Sequence, residues 1–242
     1  MTDIASVPSA PDKPQFASIG RSYYPIIVAL FTATLIISNI CATKGVEFFG
    51  SHSLALGPVQ ILPLNLDAAF FLFPLAYILG DVLSEVYGFA ATRKAILTGF
   101  AIMLLTTACF AIAVGLPAAS WYENQSAFSG VVGVVPWIVT ASIAGYLVGQ
   151  TLNSYVLVRI KERTKEKHLW ARLLGSTVVG EFADTVTFCA IAATAIGIST
   201  FGGFLNYVIV GWVWKTLAEV IVLPITYRVI AYIKANEPTY RY

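Results

Sequence analysis

Six apolar segments dominate this chain, at about Tyr23–Ala42, Leu66–Tyr87, Arg93–Leu116, Pro136–Val158, Arg172–Gly197 and Phe204–Ile233. A helix needs ~20 apolar residues to cross a bilayer, where lipid offers the backbone no hydrogen-bond partner. Of the 242 residues, 57% are hydrophobic and 12% charged, whereas a soluble domain carries about 25% charge. The pattern predicts an all-α membrane protein with six transmembrane helices in one bundle over residues 21–234. Residues 1–20, with Pro8, Pro11 and Pro14, read as a disordered cytoplasmic tail, and 235–242 as a C-terminal cytoplasmic tail. No typical signal peptide precedes the first segment, which is therefore expected to stay as a helix. The stretch Leu54–Leu62 is apolar but short and marked by Gly and Pro, so it reads as an interfacial or hairpin element.

Lysines and arginines fix the orientation. Lys13 and Arg21 precede the first segment, Arg93 and Lys94 follow the second, and Arg159, Lys161, Arg163, Lys165, Lys167 and Arg172 separate the fourth from the fifth. Arg228, Lys234 and Arg241 close the chain, while the other three loops hold only Lys44. The alternation places both termini in the cytoplasm of a multi-pass inner-membrane protein, with Trp121, Tyr122 and Trp137 as outer aromatic anchors. The basic stretch 159–172 reads as topology and headgroup contact, with the lipid bilayer and no nucleic acid as partner. Cys41, Cys109 and Cys189 lack metal-ligand spacing and read as small buried hydrophobes. His52 and His168 fall on opposite sides of the membrane, so no metal site is expected. No cofactor motif, HExxH, GxSxG or CxxC is present, and no enzyme chemistry is expected.

Against this apolar background stand a few polar groups. Asp81 and Glu85 lie one helical turn apart in the run FPLAYILGDVLSEVYG, Phe73–Gly88. Each uncompensated charge at bilayer depth costs about 2.5–3.5 kcal/mol or more, so such groups need a partner, a cavity or a ligand. Glu85 has Arg93 and Lys94 as cytoplasmic partners. Asp67, at the outer start of the second segment, reads as a cap. Glu181 and Asp184 form a second acidic pair in the fifth segment, and Lys215 in the sixth is the natural partner of Asp184, with Glu219 one turn on. Five acids at this depth face one lysine. Gln150 and Asn153 in the fourth segment and Asn39 in the first add amides. Ala29-x-x-x-Ala33 and Gly145-x-x-x-Gly149 are small-residue patterns for close helix contact. The two halves of the chain have opposite orientation, each with a carboxylate pair on its middle helix, as a 3+3 inverted repeat would give. The constellation points to a polar transport site inside a bundle.

These residues resemble the signature of the queuosine-precursor transporter family, also called the vitamin uptake transporter family. The resemblance rests on Phe73–Tyr77, Asp81–Gly88 and Arg93, with Asn39, Lys44, Arg172, Ser176, Thr177, Asp184, Thr185, Phe188, Lys215, Pro224 and Tyr227 in support. Glu181 stands where the family tends to an amide, and Asn153 where it often has Asp. The resemblance implies import of a small-molecule 7-deazaguanine base, such as 7-cyano- or 7-aminomethyl-7-deazaguanine, for tRNA modification. A carboxylate can accept the paired N–H and exocyclic amine of that base, amides such as Gln150 or Asn39 can satisfy its ring carbonyl, and Phe73, Tyr77 and Phe188 can stack on it. The expected substrate contacts are Asp81, Glu85, Gln150, Asp184, Lys215, Asn39, Phe73, Tyr77, Phe188 and Glu181. A homo-oligomer is compatible with this reading. The competing reading is a substrate-binding subunit of an energy-coupling vitamin transporter, docked through Ala29-x-x-x-Ala33.

Overall fold

The structure, a computed structural model, describes residues 20–57, 59–164 and 169–240. The expected N-terminal tail (except Gly20), His168 and the basic residues Lys165 and Lys167 lie outside the described residues. The chain is mostly helical: α1 Tyr24–Cys41, α2 Phe73–Gly115, α3 Gln125–Val132, α4 Val135–Thr164, α5 Leu169–Ala192 and α6 Phe201–Asn236. Among the described residues, five stretches are long and apolar enough to cross a membrane: Tyr24–Cys41, Phe70–Gly88, Ala90–Gly115, Gln125–Asn153 and Phe201–Asn236. The 24-residue α5 carries Glu181 and Asp184 and is not among them.

The all-α expectation needs correction between α1 and α2. Four short strands, β1 Gly45–Phe48, β2 Leu54–Leu56, β3 Val59–Leu62 and β4 Leu64–Asp67, build a folded-back ribbon. β1 pairs antiparallel with β4, from Gly45 opposite Asp67 to Phe48 opposite Leu64, and β2 pairs with β3 nearer the tip. The segment is too short to span, so its backbone groups pair with one another instead. Consequently the second helix does not begin at Leu66. A 3-10 turn, Phe70–Leu72, follows β4, and α2 starts at Phe73 with Pro74 in its first turn, where a missing N–H goes unmissed.

At Gly88 the backbone adopts φ 76° and ψ 174°, a conformation open chiefly to glycine, and α2 divides there into two arms. The second arm runs alongside α1: the Tyr24 hydroxyl donates to the Ala91 carbonyl near one end, and Asn39 Nδ2 approaches Met103 Sδ at 3.1 Å near the other. Large apolar side chains such as Leu30, Leu105, Ile112 and Ile221 point outward, as a lipid-facing surface requires. Ala29 and Ala33 are exposed on the same outer face, so no helix among the described residues covers that small-residue pair. Of the three cysteines expected inside, Cys189 is buried, Cys41 half-buried and Cys109 exposed, because Cys109 sits on the outward face of α2.

Glu237 closes the end of the bundle where α1 begins. Its Oε2 accepts the Tyr23 backbone N–H at 2.9 Å and the Tyr87 hydroxyl at 2.6 Å, and its Oε1 accepts the Thr239 hydroxyl at 2.6 Å. Desolvation pushes this carboxyl up, but donation from Thr239, Tyr87, Tyr23 and Ser22 outweighs it and brings the pKa down from 4.5 to about 2. A depressed folded-state pKa stabilises the fold above the unfolded value, and the benefit disappears as pH falls from about 4.5 toward 2. Glu237→Gln is therefore expected to melt earlier than wild type at neutral pH, by about 1–3 kcal/mol. Thermal unfolding in detergent checks this, and the gap should shrink as the buffer is acidified through that window.

Candidate functional site

The site is assembled by three helices. α6 carries Lys215, α5 carries Glu181 and Asp184, and the first arm of α2 carries Phe73, Tyr77 and Asp81. Close approach of α4 and α5 sets the position of the acids. A Cβ on Gly145 would sit 2.7 Å from Asp184 Oδ1, and one on Gly149 would sit 2.8 Å from Asp184 Cβ and 2.9 Å from the Gly180 carbonyl oxygen. A Cβ on Gly180 would in turn meet Asn153 Cβ at 2.7 Å. Only glycines let the two backbones come this close, so the Gly145-x-x-x-Gly149 pattern forms the α4–α5 seam beneath Asp184.

Lys215 Nζ donates a hydrogen bond to Asp184 Oδ2 and lies 3.8 Å from Glu181 Oε2. The ammonium also sits over the Phe73 ring, 5.2 Å from its centroid, an arrangement worth ~2 kcal/mol when desolvated. Phe73 and Tyr77 are ring neighbours at 6.5 Å, and Tyr77 lies beside Glu181 and Glu219. The Lys215 side chain is 13% exposed, those of Glu181 and Asp184 about a fifth. Charge is thus held mostly out of solvent, and the ion pair offsets much of its cost.

Several polar atoms on α4, α5 and α6, namely Glu181 Oε2, Asn153 Oδ1, Thr185 Oγ1 and Thr216 Oγ1, are buried without a hydrogen-bond partner. Thr185 and Cys189 are almost fully buried, with Thr185 Cγ2 packed near Gly211 at the α5–α6 seam. Buried polar atoms are satisfied in the great majority of cases, and Glu181 Oε2, 3.8 Å from Lys215 Nζ, lies at the node itself.

Three of the other expected contacts, Glu85, Asn39 and Phe188, lie elsewhere. Glu85 pairs with Lys234 at 2.7 Å at the end of the bundle, rather than with Arg93 or Lys94. Asn39 is buried between α1, α2 and α4: its amide donates to the Leu35 carbonyl and its Oδ1 accepts from Ser142 at 2.8 Å. The cavity that Asn39 lines is about 10 Å³, room for no more than one water. Phe188 packs in the apolar core beside Ala42, Ala69 and Ile138. The Gln150 side chain lies outside the described residues. Asp81 is half-buried and lies within electrostatic reach of Glu85 and Glu219.

Two features go beyond the expected contacts. Glu219, noted in the sequence one turn from Lys215 but not among those contacts, lies within electrostatic reach of Glu181 and Asp81. The second is a polar latch between β4 and α6. Asp67 lies in β4 rather than at the start of a long helix; its Oδ1 accepts the Ala69 N–H, and its Oδ2 accepts the Tyr207 hydroxyl at 2.7 Å. Asn206 accepts from the Asn65 backbone at 2.8 Å, and Trp214 Nε1 donates to the Phe70 carbonyl at 2.9 Å. These bonds tie the ribbon to α6 within a few turns of Lys215.

Residues 67–229 match a protein family described as "Putative vitamin uptake transporter". Over 193 residues the chain is 30% identical to a Bacillus subtilis (strain 168) protein named "Probable queuosine precursor transporter", covering 79% of this chain and 78% of that one. Over 142 residues it is 27% identical to the "Queuosine precursor transporter" of Escherichia coli (strain K12), covering 59% of this chain and 62% of that one. No solved structure matches it. The matched region contains the whole lysine–carboxylate node, and the family is one of transporters rather than enzymes. This chain, a multi-pass membrane protein with a charged node between its helices, belongs to the vitamin uptake transporter family.

Proposed function

We propose that this protein imports queuosine precursors, 7-cyano- or 7-aminomethyl-7-deazaguanine, across the inner membrane. On this reading α5 is a sixth span, its acids compensated by Lys215, and both termini are cytoplasmic. The halves before and after the loop at 116–124 form an inverted pair. The observation that carries the substrate class is the charged node in which Glu181 Oε2 still lacks a hydrogen-bond donor, taken with the names of the relatives. A deazaguanine presents an N–H beside an exocyclic amine, which one carboxylate accepts together. Glu181 and Asp184 supply that acceptor, Asn153 and Lys215 stand by for the remaining polar atoms, Phe73 and Tyr77 stack on the ring, and Asp81 lines the inward side. A base lacking those donors leaves buried acceptors unpaired and is rejected.

Uptake of the two labelled bases into cells unable to make them tests this. Wild type is expected to accumulate at least one, and an equally expressed Asp184→Asn variant to lose about tenfold or more. Normal uptake by Asp184→Asn would remove Asp184 from the site, and no uptake by a well-expressed wild type would reject the substrate. Uptake that needs an added ATPase module would make the chain a binding subunit instead.

A further inference from the structure

A strip of chain runs along α6 from the ribbon into the node. The Asn65 N–H donates to Asn206 Oδ1 at 2.8 Å, Asp67 Oδ2 accepts from the Tyr207 hydroxyl at 2.7 Å, and the Phe70 carbonyl accepts from Trp214 Nε1 at 2.9 Å. One turn further, the Phe73 ring carries the Lys215 ammonium, 5.2 Å from its centroid. The same strip crosses the end of the bundle. Ala69, 2% exposed, packs in one apolar cluster with Ala42 just past the end of α1, Ile138 and Ala141 near the start of α4, and Ala192 at the end of α5. With Asp67 on α6, the segment Asp67–Phe70 thus meets the ends of four helices. Lys215 follows Tyr207 along α6 by about 12 Å of helix rise, so this segment stands between the node and that end of the bundle.

The contacts around the segment are of a kind that parts and re-forms. Discrete hydrogen bonds hold it to α6, and each is exchangeable for a bond to water. The apolar face against which Ala69 sits is built mostly of alanines, with few long side chains to withdraw. The remainder of the first α2 arm is held differently: Leu79, Val82, Leu83 and Val86 are buried with Ile27 in a continuous apolar core. Phe70 meets Phe48 of β1 at 5.5 Å and Trp214 at 5.7 Å, both edge-on. Together with the β1–β4 pairing, this makes ribbon and segment one body. If Phe70 leaves Trp214, Phe73 is drawn from under Lys215.

Resting on the import reading, we infer that the segment Asp67–Phe70 is the outer gate of the transport path and that Tyr207 is its latch. The segment seats on the helix ends when the node is closed to the outside, and it lifts from α6 with the ribbon to admit the base. Opening loosens Phe73 from Lys215, so the gate and the node respond to each other through one continuous strip of chain.

Two experiments on the full-length chain test this. A membrane-impermeant maleimide is applied outside intact cells to a variant carrying Cys41→Ala and Cys109→Ala, in which Cys189, 1% exposed and clustered with Tyr207, is the remaining thiol. Adding Tyr207→Phe is expected to speed labelling about fivefold or more, the shift in an opening equilibrium that one lost hydrogen bond gives. Trp212→Phe, which removes a bond from Trp212 Nε1 to the Val178 carbonyl elsewhere on α6, is expected to leave the rate unchanged. An unchanged rate in Tyr207→Phe, equal acceleration by Trp212→Phe, or labelling confined to inside-out vesicles overturns the gate. In the second experiment, Asn65→Cys with Asn206→Cys in a chain without other cysteines is joined by a short reducible cross-linker. Uptake of 7-cyano-7-deazaguanine is expected to fall about tenfold or more and to return on reduction. The same tether between Glu47→Cys and Asn65→Cys, opposite one another within the ribbon, is expected to leave uptake unchanged. Full uptake with Asn65→Cys tethered to Asn206→Cys overturns the proposal. If the untethered wild type takes up no base, the import reading fails, and the labelling rates, measured without base, still decide whether the segment opens.

Discussion

Replacing Lys215 with methionine is expected to abolish uptake and to destabilise the protein by about 3–5 kcal/mol, the usual cost of breaking a buried ion pair by removing one partner. The side chain is 13% exposed and is the only cation within reach of Asp184 and Glu181 among the described residues. Methionine fills much of the same space beside Phe73, so the loss is one of charge rather than volume. The two acids are left uncompensated between the helices and must take up protons or draw in water. The double variant Lys215→Met with Asp184→Asn removes the pair together and is expected to regain part of the melting temperature without regaining uptake. Measuring both properties for the three variants separates the structural role of the pair from its part in transport. Full uptake by Lys215→Met would rule out the node as the site.

The second large effect is expected at the α4–α5 seam. Gly149→Ala places a methyl group 2.8 Å from Asp184 Cβ and 2.9 Å from the Gly180 carbonyl, and Gly145→Ala places one 2.7 Å from Asp184 Oδ1 and 2.9 Å from its carbonyl oxygen. Backbone atoms stand on the far side of both contacts, so the helices themselves must part. Overpacking of this kind costs about 1–3 kcal/mol. It also carries Asp184 away from Lys215, so uptake is expected to fall by about tenfold or more for either variant. Gly130→Ala is the control, since a Cβ there meets nothing within 4 Å, and it is expected to behave as wild type. Uptake and thermal unfolding of the three side by side decide the matter; wild-type behaviour of Gly149→Ala would mean the seam tolerates separation and does not position Asp184.

Much of the architecture was legible from one-dimensional patterning. Long apolar runs mark where helices lie, because a backbone in lipid has no other way to satisfy its hydrogen bonds. Helix ends shifted by a few residues, except at the second helix, whose expected start at Leu66 is occupied by β4 and a 3-10 turn. The hairpin reading of Leu54–Leu62 matches β2 and β3, but the outer pair β1–β4 left too short a trace, since strands of four residues are set by the partner strand.

The sequence also determined which residues could form a charged site, since acids and a lysine within apolar runs are conspicuous by their cost. It paired Asp184 with Lys215 by chemistry alone. Only tertiary structure decided which polar groups meet. It sent Glu85 to Lys234 at the bundle end, used Asn39 to join three helices, brought Glu219 within electrostatic reach of Glu181 and Asp81, and clamped the ribbon to α6 through Asp67, Asn65 and Phe70. The physical reason is that hydropathy is a property of each segment, whereas a partner depends on how helices rotate and approach. Here that rotation and approach are set by the glycine seam between α4 and α5 and by the break at Gly88.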